Sequence, residues 1–130
     1  MAGSTTRNPL TLPQQYLFLR KSKTVAGEGV LGPRRLEWHF HAQPTPLSRT
    51  YQVTLVLERD GTPDVRVVDP ALRLLAGERD LPHIYHDPDR LCLYLPGTGQ
   101  WDASKRLDLT IIPWTHLWLI YFEEWLVSDD

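Results

Sequence analysis

Cysteine is nearly absent. Cys92 is the only one in 130 residues, so no disulfide forms within the chain and the core must hold by packing. At this length one domain is expected, large enough for a core without staples. No run of apolar residues is long enough to span a bilayer. The most apolar segment, 109–122, is short and interrupted. The N-terminus shows no secretory pattern, which points to a reducing cytoplasm and a free thiol. Charge of one sign is not in excess: 14 Lys and Arg against 16 Asp and Glu leave a net charge of −2. That balance gives no reason to expect nucleic acid or an anionic membrane as partner. No Gly-x-Gly-x-x-Gly fingerprint occurs, and Pro96-Gly-Thr-Gly is too short and misplaced for a phosphate loop. The chain therefore shows no adenylating or redox machinery, and no cofactor is expected.

What is present reads as short elements between prolines. Residues 1–9 are small and polar and are expected to form a flexible tail, with residues 10–130 as the domain. Thr11 as cap, Pro13 in the first turn and Gln14 in capping-box position predict a helix over 12–22. Its apolar face would be Leu12, Tyr16, Leu17 and Leu19. Gly27, Gly29, Gly32 and Pro33 read as a loop. Leu36, Trp38 and Phe40 alternate with Glu37, His39 and His41, and Tyr51, Val53, Leu55 and Leu57 alternate likewise. With Val65 and Val67 these predict three sequential strands in an antiparallel meander. Residues 70–90 read as an ordered loop, and Leu91-Cys-Leu-Tyr-Leu as a further strand. From Pro113 to Leu126, Trp114, Trp118, Tyr121 and Trp125 recur at helical spacing. The order predicts an α+β fold, an antiparallel β-meander packed against helices, with Trp118 and Tyr121 turned toward the sheet.

The chemistry concentrates between Leu81 and Trp114. Cys92 could be a small buried hydrophobe, as its leucine neighbours suggest. It could also be a nucleophile, which requires a cationic or hydrogen-bonding neighbour. His83 and His86 lie just upstream, placed to orient a carbonyl, stabilise an oxyanion or move a proton, or simply to satisfy loop backbone. Tyr85, Trp101 and Asp102 are further supporting candidates. His39 and His41 share a strand face but lack the additional ligands a metal needs, so no metal site is expected. A cysteine hydrolase is disfavoured because His116, the one histidine downstream, falls in the helical stripe.

This constellation resembles the ubiquitin-conjugating enzymes, in which a His-Pro-Asn loop precedes an Ile-Cys-Leu element, a Trp and then a helix opened by Thr-Ile. The parallels here are Leu91-Cys92-Leu93, Trp101, Thr110-Ile111 and the helix from Pro113. The stand-alone conjugating-enzyme-like proteins of bacterial CBASS antiphage operons are more similar still. They match in Pro82-His83-Ile84-Tyr85, Leu91-Cys92-Leu93-Tyr94-Leu95-Pro96, Thr110-Ile111-Ile112-Pro113-Trp114, Trp118-Leu119 and the run at 44–51. The resemblance implies the UBC-like fold over roughly residues 11–127. It also implies that Cys92 carries a protein C-terminus as a thioester, the protein being a cGAS/DncV-like nucleotidyltransferase. The eukaryotic Asn is missing. Ile84 or Tyr85 falls near its place, and His83 is expected to take over its oxyanion or orienting duty. The rival class is a non-catalytic protein-binding module on the same fold, with Cys92 in the core and the Trp-rich face as a docking patch.

Overall fold

A computed structural model describes residues 8–23 and 26–128. Most of the tail expected over 1–9 lies outside these residues. Helix α1, Leu12–Lys21, starts as its sequence dictates. The Gln14 N–H donates to Thr11 Oγ1 and the Thr11 N–H to Gln14 Oε1, closing a full capping box worth on the order of 1 kcal/mol. Its buried face differs from the expected one. Leu12, Gln15 and Leu19 point inward, while Leu17 is exposed. Gln15 is buried because its amide bridges two backbone groups, donating to the Lys105 carbonyl and accepting from the Leu107 N–H, both at 2.9 Å. It joins α1 to a 3-10 turn at Leu107–Leu109.

The sheet has four antiparallel strands in sequential order: β1 Gly27–Leu31, β2 Arg35–Ala42, β3 Tyr51–Glu58 and β4 Asp64–Asp69. The meander is as expected, but the glycine-rich segment is its first strand and not a loop. Gly27 and Gly29 lie beside the Trp38 indole of β2. A Cβ at Gly29 would stand 2.7 Å from Trp38 Cε3, and one at Gly27 would stand 2.8 Å from Trp38 Nε1. Glycine here clears space for an aromatic ring. The inward rows of β2 and β3, Leu36, Trp38, Phe40 and Ala42 with Tyr51, Val53, Leu55 and Leu57, are buried. The outward residues His39 and His41 are exposed, and the His39 ring is held by Thr54 and Glu37.

Helix α3, Ile111–Leu126, covers the inner face. Ile111, Ile112, Thr115, Leu119 and Phe122 are buried, each apolar one contributing roughly 1.5–3 kcal/mol by leaving water. His116 stacks on Phe40, and Glu123 accepts hydrogen bonds from Ser48 Oγ (2.6 Å) and the Tyr51 hydroxyl (2.7 Å). Of the two stripe residues expected to turn inward, Trp118 is buried and stacks on Phe122, whereas Tyr121 is not. Tyr121 is 59% exposed, and Trp114, Trp118 and Trp125 turn toward a cleft beside the sheet. The loop expected over 70–90 contains a short helix α2, Leu72–Ala76, and the first half of a two-stranded ribbon, β5 Ile84–Tyr85 and β6 Arg90–Leu91. The expected cysteine strand is thus shorter than the apolar run and ends before Cys92.

Candidate functional site

The ribbon places Cys92. Ile84 pairs with Leu91 and Tyr85 with Arg90. The ladder continues one step further, since the Cys92 N–H donates to the His83 carbonyl at 3.0 Å. Side chains alternate along a strand. Leu91 is accordingly buried, and Cys92 falls on the other face, shared with Arg90 and with Tyr85 across the ribbon. The thiol is partly exposed. It helps line a cleft of about 760 Å³ whose walls include His83, Leu93, Tyr94, Trp114, Leu117 and Trp118.

His83 is held by its backbone. Its carbonyl also accepts from the Trp118 indole at 2.9 Å, tying the cysteine loop to α3. Its φ of 52° lies in the left-handed region, where histidine is several-fold enriched among non-glycine residues. Its imidazole is exposed on the cleft wall and makes no hydrogen bond with the thiol. The thiol donates to the Tyr94 carbonyl at 3.9 Å, and Tyr85 stands diagonally across the ribbon from it. Hydrogen bonding with Cys92, followed by burial, pushes the Tyr85 phenol up to about 12. The Arg90 guanidinium lies 5.4 Å from the centroid of the Tyr85 ring, and Arg90 reaches Asp64 at the start of β4. Tyr94 also lines the cleft, but its hydroxyl is engaged with Thr62, and desolvation raises its pKa.

The other candidates stand elsewhere. His86 Nδ1 faces Arg73 at 3.2 Å and Asp89 at 3.6 Å, drawn away from the sulfur by the Arg73–Asp89 pair. Trp101 is buried, its indole donating to Thr110 Oγ1 and its ring against Tyr94. Asp102 accepts from the N–H and hydroxyl of Ser104, shaping a turn. The structure therefore brings Cys92, His83 and Tyr85 together and leaves His86, Trp101 and Asp102 as supports of the surrounding loops. Gln100, overlooked in the sequence, also lines the cleft, with its side-chain oxygen accepting from the Leu95 N–H. Among the described residues no group of three or more His, Cys, Asp or Glu could hold a metal ion. None of their helices is long and apolar enough to cross a membrane.

A four-stranded antiparallel sheet backed by a helix, with one cysteine beyond it in the loop leading to that helix, has the arrangement of an E2-like fold. The model of the family described as Type II CBASS E2 protein matches residues 15–130. The chain belongs to that family and is a CBASS-associated E2-like protein. No curated protein matches it.

Proposed function

We propose that the chain is an acyl carrier, in which Cys92 takes the C-terminus of a protein as a thioester and passes it to a target in antiphage defence. The observation carrying this reading is the position of the sole thiol. It is partly exposed on the wall of an apolar cleft, in a chain of the Type II CBASS E2 family. In charging, the Cys92 thiolate attacks an acyl group already activated on another protein. The new C–S bond forms as the activating group leaves. In discharge, a target amine attacks the thioester carbon, the C–S bond breaks, the thiolate leaves and the amine proton passes to solvent. The partner implied by the resemblance is a cGAS/DncV-like nucleotidyltransferase, and the setting is the cytoplasm. An extended C-terminal tail would lie along Leu93, Trp114 and Leu117.

Co-expression with such a nucleotidyltransferase, followed by non-reducing gels and intact mass spectrometry, tests this. Wild type is expected to carry a thiol-labile adduct and Cys92→Ala none. Cys92→Ser is expected to trap a thiol-resistant, hydroxide-labile ester. An identical conjugate in wild type and Cys92→Ala makes Cys92 structural and favours the binding-module reading.

A further inference from the structure

His83, expected to take over the duty of the missing Asn, makes no hydrogen bond with the sulfur through its imidazole. We propose that the Tyr85 hydroxyl is the hydrogen-bond donor to the oxyanion that forms on the acyl carbon attached to Cys92. This inference rests on the acyl-carrier reading above.

Ribbon geometry puts the phenol there. Tyr85 pairs with Arg90, two residues before Cys92, so it is the diagonal cross-strand neighbour of the cysteine. Such neighbours stand about 7–8 Å apart, within reach of an aromatic side chain. The ring is steadied by Arg90, which is itself anchored to Asp64 on the main sheet. Tyr85 is not among the residues of the cleft. When the amine attacks the thioester carbon, the C–N bond forms and the carbonyl π electrons move to oxygen. The phenol O–H donates to that oxygen without giving up its proton. Collapse restores the carbonyl and breaks the C–S bond. The raised phenol pKa keeps the O–H protonated across the range in which amines and thiols react.

The other polar groups around the sulfur have neighbours of their own. The Tyr94 hydroxyl is engaged with Thr62, and its ring stands against Trp101 and Trp114. His86 faces Arg73 and Asp89. Gln100 is anchored through its oxygen to Leu95, which leaves its NH2 group as the competing donor on the cleft wall.

The test needs no protein partner. The full chain is charged with a glycine thioester of 2-mercaptoethanesulfonate and discharged with hydroxylamine, with both steps followed by intact mass. Tyr85→Phe keeps the ring over Arg90 and removes one hydroxyl from a residue that is 36% exposed, so folding is preserved. It is expected to discharge about 10²–10³-fold more slowly, the loss typical of one oxyanion donor. If wild type charges and Tyr85→Phe discharges at the same rate, the acyl-carrier reading stands and the Tyr85 inference falls. Slower discharge in His83→Gly alone, a variant that suits the left-handed backbone, assigns the donor to the imidazole and also overturns it. If wild type alkylates at Cys92 with iodoacetamide but never charges, both fall together.

Discussion

Trp38 dictates the composition of the strand beside it. Its indole lies against β1, and Gly27 and Gly29 are the residues that leave it room. Gly29→Ala would bring a methyl group against Trp38 Cε3 and the Glu37 carbonyl. It is expected to cost about 1–3 kcal/mol as overpacking, read as a lower urea midpoint at unchanged slope. Alanine at Gly97, where nothing lies within 4 Å of the added carbon, should spare Trp38 and pay only for its positive φ. These glycines read as a loop in the sequence because glycine weakens a strand in isolation. Their partner sits nine or more residues away, and local composition carries no trace of it. Gln15 was hidden for a related reason. A polar residue on a helix is buried only when distant backbone groups need it, and Lys105 and Leu107 are ninety or more residues on. Leu17 made the opposite error possible, since an apolar side chain on the solvent face breaks no rule.

At the scale of elements, the cysteine ribbon depends on α2. Arg73 of α2 donates to both carboxylate oxygens of Asp89, at 2.6 and 2.8 Å. These hydrogen bonds hold the Asp89 carboxyl below the ordinary carboxylate range. A lowered folded pKa means the contribution is fully present above the unfolded value of about 4 and is lost as pH falls through the lower folded one. Amide exchange at Cys92, whose N–H closes the ladder to His83, is therefore expected to speed up below about pH 4 beyond the global change. Arg73→Ala should show that faster exchange already at neutral pH; an unchanged rate would mean the ribbon stands without α2. Elements this short were not legible in advance. The two-residue strands of the ribbon have too few positions to show a period, whereas α1, β2, β3 and α3 announced themselves through caps and alternation. The stripe of Trp114, Trp118, Tyr121 and Trp125 was legible as a helix but not as to its facing. Ile112, Leu119 and Phe122 form a competing apolar face on the same helix, and nothing local says which one meets the sheet.

At the scale of the whole molecule, Glu123 ties α3 to the strand layer. It accepts from Tyr51, which is fully buried, and from Ser48. Burial first, and then the Glu123 hydrogen bond, keep the Tyr51 phenol protonated well above its ordinary range. Glu123→Ala leaves that hydroxyl without its acceptor and is expected to cost about 1–3 kcal/mol. Tyr51→Phe in the same background should recover part of the loss, because the orphaned hydroxyl is gone. Strictly additive losses in a double-mutant cycle would show that the two side chains do not couple. The architecture and the cysteine loop were thus legible as a resemblance spread over most of the chain, while the contacts that join layers were not. The aromatic cleft also has an optical consequence. Of the five tryptophans, Trp38, Trp101 and Trp118 are buried, and Trp114 and Trp125 stand half-buried on the wall of the cleft beside the thiol. The protein thus carries its own fluorophores at the place where a tail would settle. Occupancy would dehydrate the Trp114 and Trp125 indoles and draw their emission to shorter wavelength, against a steadier background from the three buried ones.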